Sequence, residues 1–175
     1  EAALGAADVA LTCVDLGGNG VIYGLTRPPG HHVTRSAYGG SCYLNNAAIA
    51  AEALRRAGHE RVAIVDIDAH HGNGTQDIFY ARHDVLYASL HVDPGAGWFP
   101  HYAGYAEETG IGDGAGLNVN IPLAPGTHDG PWLDSVRTLA DRVAAYGASA
   151  LVVSLGVDAA ADDPESPLQI TVEGY

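Results

Sequence analysis

Apolar and polar positions alternate in two distinct rhythms along the chain. Arg61–Ile67 (RVAIVDI), Val85–Leu90 and Ala150–Leu155 (ALVVSL) are short, nearly unbroken apolar runs. Such runs mark strands buried on both faces of a sheet. Leu117–Ile121 predicts a further strand, ended by Pro122, and Val21–Leu25 a short one closed by Arg27-Pro28-Pro29-Gly30. Helical spacing appears at Leu44–Ala57, with Asn45 or Asn46 as cap and Gly58 just past its end. It recurs at Pro131–Tyr146, stopped by Gly147, and in a short segment near Gln76–Arg82. The Ala-rich Glu1–Val14 reads as the remainder of a helix entered partway, and Gly17-Gly18-Asn19-Gly20 as a turn cluster. Strands separated by helices predict an α/β protein with a mainly parallel sheet covered on both faces. Residues 92–116 form a long Gly-rich loop, a length that in a compact domain is usually functional.

Composition narrows the classes. Eight basic residues, all arginine, against 21 acidic ones give a net charge of −13. Without a basic cluster, a phosphate-tracking nucleic-acid surface is excluded as an expectation. Cys13 and Cys42 are too few for a disulfide-stapled scaffold or a thiolate zinc ribbon. No apolar run is long enough to span a membrane, and no basic n-region precedes one. The expectation is a protein of a reducing compartment, cytoplasmic, with no nucleic-acid or membrane partner. At 175 residues it reads as a single domain, and the absence of Met with Glu1 first suggests a piece of a longer chain.

The nine histidines carry the candidate chemistry. Ligands of open α/β sheets sit beyond the carboxyl ends of strands. Beyond RVAIVDI come Asp68, Ala69, His70, His71, Gly72, Asn73 and Gly74; beyond ALVVSL comes Asp158; beyond Val21–Leu25 come His31 and His32. Asp66, Asp68 and His70 share parity, so in an extended chain they leave on one face. Two of them, with Asp158 from another strand, suit a zinc-like divalent ion with open positions. One such Asp alone would be an ordinary cap or turn former. D-x-D-x-H-H-G together has no packing rationale. His31-His32 suits acid–base work, with Asp66 and Asn73 placed to orient the rings through their second nitrogens. His59, His83 and His128 read as surface residues; His71, His91 and His101 stay undecided.

RPPGHH (Arg27–His32), CYLNNAAIAA (Cys42–Ala51), DIDAHHGNGTQDIFY (Asp66–Tyr80), SLH (Ser89–His91) and SLGVDAAADDP (Ser154–Pro164) resemble the histone deacetylase superfamily. FPHYAGYAEETGIGDGAG and Asn73 look most like the bacterial acetylpolyamine amidohydrolases and class II-like deacetylases. The resemblance implies an arginase/deacetylase-like three-layer α/β fold, here a partial domain, and a zinc-dependent amidohydrolase site, with Fe2+ as another candidate ion. It places Asp68, His70 and Asp158 as metal ligands, and His32 as general base with His31 an electrostatic partner or acid. Asp66 would buttress His31, and Asn73 stands where many relatives have Asp.

The resemblance further assigns Asp66, Asp68, His70, Ser89 and Leu90 to a structural K+ or Na+ site, largely through carbonyls. Phe99 would be one tunnel wall, with Gly40 in the floor segment and Ser41 where the opposite wall is normally aromatic. The family's electrophilic tyrosine lies in a GGY segment beyond Tyr175, and Tyr175 itself is not given that role. The expected substrate is a small cationic acetylated amine, an acetylpolyamine, with a protein acetyl-lysine as the alternative and a homo-oligomer compatible with either. Remoter readings are a binuclear manganese ureohydrolase, which GVDAAADDP disfavours, and a non-catalytic binding homologue.

Overall fold

The computed structural model describes residues 1–18 and 20–175; Asn19, in the predicted turn cluster, lies outside the described residues. Four strands form one sheet: β1 (Val62–Asp66), β2 (Val85–Val92), β3 (Asn118–Leu123) and β4 (Ala150–Ser154). Their order is β3-β2-β1-β4 and every pair is parallel. Asp66, the last residue of β1, sits between Ser89 of β2 and Ser154 of β4.

The helices α2 (Asn46–Arg56), α3 (Asn73–Phe79) and α4 (Asp129–Tyr146) cover the sheet, and α1 (Ala2–Asp15) packs on α2. Strand alternation sorts the apolar side chains into two cores. Val62, Ile64, Val85 and Tyr87 pack with Ala48, Ala51 and Phe79 on the α2–α3 face. Ala88, Leu90 and Val92 pack with Trp132 and Leu139 on the α4 face. The result is the three-layer α/β arrangement that the buried runs predict. Asn45 caps α2, its side chain accepting the Ala48 N–H, and Gly147 closes α4 in the left-handed conformation with φ 70°.

Three expectations need correction. Val21–Leu25 forms no strand; Val21 is 98% exposed and no strand pairs with the segment among the described residues. Local β preference cannot hold a strand that has no neighbour. Pro122 does not end β3, which runs to Leu123 with Pro122 opposite His91. At the sheet edge a missing N–H leaves no ladder bond unmade. Finally, β1 stops at Asp66 rather than Ile67, so Asp68 and His70 lie in a bend and strand parity does not place them.

Candidate metal and acid–base site

Asp66 is fully buried, and three donors surround its carboxylate. His31 Nδ1 lies 3.0 Å from Oδ2, the Tyr87 hydroxyl donates to the same oxygen at 3.3 Å, and the Asp68 N–H reaches Oδ1 at 3.3 Å. Gly72 is required beside it: a Cβ there would lie 2.4 Å from Asp66 Oδ2 and 2.6 Å from the Tyr87 hydroxyl. Burial pulls the His31 imidazole down, but Asp66 and Asp68 outweigh it and raise it to about 9.

After β1 the chain turns on its own carboxylates. Asp68 Oδ1 accepts the His70 N–H at 2.8 Å, an Asx turn, and Asp158 Oδ1 accepts the Ala69 N–H at 2.9 Å. These bonds fix both carboxylates. Asp158 Oδ2 faces His70 Nδ1 at 2.6 Å, and Asp68 Oδ1 lies 3.3 Å from the same nitrogen. One ligand atom from each of Asp68, His70 and Asp158 lies within 4.8 Å of the others. Gly156 lets the strands approach, since a Cβ there would lie 2.2 Å from Asp68 Oδ2. Two fixed carboxylates and an imidazole nitrogen converging from β1 and β4 fit a divalent metal. Without it, the Asp158 and Asp68 hydrogen bonds hold a proton on His70 and raise it to about 10, against burial.

His32 stands next to this cluster, 7% exposed, its ring centroid 4.0 Å from that of His31 and 6.3 Å from that of His70. Its Nδ1 lies 2.8 Å from Asn73 Oδ1. A carbonyl oxygen only accepts, so the proton sits on Nδ1 and Nε2 keeps its lone pair. Burial, then the neighbouring His31 charge, lowers His32 to about 3. Phe99, 42% exposed, meets the His32 ring edge-on at 4.8 Å. Gly40 lies against the same ring: with φ 53°, a Cβ there would be 2.2 Å from His32 Cδ2. Gly40 and Ser41 (φ 60°) are the central residues of a Gly39–Cys42 turn closed by the Cys42 N–H on the Gly39 carbonyl. Phe99 and this turn therefore both border His32.

Ser89 and Leu90 are buried in β2, with Ser89 opposite Asp66. The Ser89 hydroxyl lies 2.8 Å from His91 Nδ1, and His91 Nε2–H donates to the Gly104 carbonyl at 2.9 Å. His71 and His91 are thus buried beneath the site, ring centroids 4.5 Å apart, whereas His83, His101 and His128 are exposed and His59 half-buried. Tyr175 braces the Asp158 turn from outside: its hydroxyl accepts the Ala159 N–H, and its ring meets the buried Trp132. Sequence reasoning missed Tyr87 and Tyr102, the latter accepting the Asn73 Nδ2–H at 2.9 Å. For Tyr87 the available signal was its place in β2, two residues before Ser89 and so on the same face of the strand.

Fold and site define a class: a parallel α/β domain whose strand ends gather a three-donor cluster able to hold a metal ion beside two oriented histidines. The Histone deacetylase domain profile matches residues 1–175, and the chain belongs to that family. Acetylpolyamine amidohydrolase of Mycoplana ramosa is 50% identical over 177 residues, covering 100% of this chain and 52% of that protein. The crystal structure of acetylpolyamine aminohydrolase from Burkholderia pseudomallei superposes with a TM-score of 0.88 at 47% identity, over 99% of this chain and 48% of that one. The HDA15 HD domain superposes with a TM-score of 0.89 at 38% identity, over 99% and 51%. The chain spans about half the length of the curated relatives it matches.

Proposed function

We propose that the whole protein is a metal-dependent amidohydrolase that removes acetyl groups from N-acetylated amines, acetylpolyamines first among them. The observation that carries this reading is the Asp68–His70–Asp158 cluster beside a neutral, Nδ1-protonated His32. We assign the ion as Zn2+, with Fe2+ compatible with the same O and N donors. When bound, such an ion supplies Lewis acidity that polarises an acyl oxygen and makes water more acidic. His32 Nε2 accepts the proton of the attacking water. His31, backed by the buried Asp66 carboxylate, stands where a protonated ring would stabilise negative charge developing on the acyl centre and give a proton to the departing amine. Asn73 and Asp66 orient the two rings from behind.

Phe99 and the Gly40–Ser41 turn form the sides of the substrate slot. Asp66, Asp68, His70, Ser89 and Leu90 hold a structural K+ or Na+. The net charge of −13 attracts a cationic substrate, and relatives are named for acetylpolyamines. The alternative substrate, protein acetyl-lysine, rests on the resemblance: Ser41 stands where the family's second slot wall is normally aromatic, and a small side chain there leaves the rim wider. Two free cysteines support a cytoplasmic setting. No helix among the described residues is long and apolar enough to cross a membrane. The substrate assignment is tested by kcat/KM for N-acetylputrescine against an acetyl-lysine peptide. A higher value for the diamine supports it, and a higher value for the peptide transfers the assignment to proteins.

A further inference from the structure

We propose that Tyr87 is a positioning residue for His31, acting through Asp66: its hydroxyl anchors the carboxylate oxygen that aims the His31 ring. The inference rests on the reading of His31 as charge stabiliser and acid in amide hydrolysis. An orienting carboxylate must itself be held by something other than the ring it orients. Asp66 Oδ2 faces two donors, His31 Nδ1–H at 3.0 Å and the Tyr87 hydroxyl at 3.3 Å, while Oδ1 accepts the Asp68 N–H at 3.3 Å. The direction of the Tyr87 bond is fixed, because a carboxylate has no hydrogen to give and the hydroxyl must donate. Take the hydroxyl away and Oδ2 is left with His31 alone. Carboxylate and imidazole can then turn together, and the His31 Nε2 edge loses its fixed aim.

Tyr87 serves as an anchor because its ring cannot move. It is 1% exposed, paired in register with Ile64 of β1, and packed with Ile64, Ala51 and Phe79. Its N–H donates to the Leu117 carbonyl at 3.0 Å, and its ring meets His71 at 65°, centroids 6.0 Å apart. Ser89 is the partner of Asp66 in the sheet, and Tyr87 shares its face two residues earlier, so the phenol reaches Asp66 diagonally from the neighbouring strand. Asp66 ends β1 and His31 lies in the loop before α2; the anchor thus comes from a third segment. Gly72 closes the junction: a Cβ there would lie 2.4 Å from Asp66 Oδ2, 2.6 Å from the Tyr87 hydroxyl and 3.3 Å from His31 Cβ. With Asp66 itself at 0% exposure, solvent does not stand in for a lost hydroxyl.

The test is Tyr87→Phe in the zinc-loaded whole protein, a change that keeps the ring and its packing. It lowers kcat for N-acetylputrescine roughly tenfold, the scale of a hydrogen bond to a charged group, with KM and Zn2+ affinity little changed. Phe79→Leu loosens the same core without touching Asp66; it lowers thermal stability and leaves kcat near the wild-type value. An unchanged kcat in Tyr87→Phe, or an equal fall in both variants, overturns the proposal and leaves Tyr87 a packing residue. Proton NMR, with His31→Ala for assignment, reads the geometry without turnover. The His31 Nδ1–H signal is sharp and slow to exchange in the wild type, and broadens and exchanges faster with water in Tyr87→Phe. A signal unchanged by Tyr87→Phe also overturns the proposal. A signal that responds in this way, in a protein that releases no acetate, defeats the amidohydrolase reading alone.

Discussion

His31 and His32 are neighbours in the chain, their rings 4.0 Å apart, yet in the metal-free protein the fold pushes their pKa values in opposite directions, His31 up and His32 down. The difference lies behind each ring. A buried carboxylate, Asp66, backs His31, and an uncharged amide, Asn73, backs His32. Each charge state supports the other, since a cationic His31 is among the reasons His32 stays neutral. On the proposed reading, a general base and a charge stabiliser thus come from two identical side chains.

Asp66→Asn therefore acts on both histidines. In metal-free protein, His31 is raised from 6.5 to about 9, so its contribution to stability is full below pH 6.5 and is lost as pH rises through 9. NMR titration of Asp66→Asn shows His31 losing its proton at or below the ordinary value. Denaturant unfolding loses the decline between pH 6.5 and 9, and stability falls by about 3 kcal/mol as a buried charge partner goes. A His31 still titrating near 9 in this variant assigns its charge to another group.

His91 gives the opposite sign. Burial lowers it from 6.5 to about 4, with both ring nitrogens engaged by Ser89 and Gly104. The unfolded chain takes up a proton that the folded one refuses, so stability present above pH 6.5 declines as pH falls from 6.5 toward 4. The shift corresponds to roughly 3 kcal/mol over that window. Urea midpoints measured from pH 7 to 4 show the decline, and His91→Asn flattens it by one proton's worth. An equally steep decline in His91→Asn shows that other histidines carry it.

Metal binding must displace a proton from His70, which the Asp158 and Asp68 hydrogen bonds raise to about 10. Calorimetry in two buffers of different ionisation heat gives close to one proton released per Zn2+ near neutral pH. Affinity rises about tenfold per pH unit below 10, until other ligands titrate. Asp158→Asn weakens the proton's hold and the ion's together. Zn2+ binding with no proton released would show that His70 is not a ligand.

Much of this was legible in the sequence where a residue's role is local. The apolar runs of β1, β2 and β4 show themselves because a strand covered on both faces has little room for polar side chains. Asp68, His70 and Asp158 were legible because sheet topology puts strand ends together. The sequence is silent where the role depends on a partner far along the chain. Val21–Leu25 has strand composition, but no strand lies beside it. Strand parity brought Asp68 and His70 together for the wrong reason: an Asx turn does it. Tyr102 lies within the FPHYAGYAEETGIGDGAG stretch, but that run does not show its partner: its place beside Asn73 depends on a loop seated by the Gly104–His91 contact between distant segments.

The turn against His32 tolerates little. Gly40→Ala puts a methyl group 2.2 Å from His32 Cδ2 at a positive φ, so the ring must shift. We expect kcat to fall at least about tenfold, while an exposed Gly→Ala change at positive φ lowers stability by only about 1 kcal/mol. Ser41→Phe replaces a residue that already carries a Cβ at φ 60°, so its backbone cost is small, and in the proposed slot it adds an aromatic wall. It lowers KM for the slim acyl chain of N-acetylputrescine. Steady-state kinetics beside thermal melts separate the two, and an unchanged KM in Ser41→Phe would move the slot elsewhere.

On the proposed function, Asp68, His70 and Asp158 hold an ion for amide hydrolysis with His32 as base. Acetate release from N-acetylputrescine by the zinc-loaded whole protein, beside Asp158→Asn and His32→Ala, tests it most directly. We expect release by the wild type and a fall of at least about 10²-fold in each variant, with His32→Ala still binding Zn2+. No acetate from either N-acetylputrescine or an acetyl-lysine peptide, or full activity in His32→Ala, would contradict it.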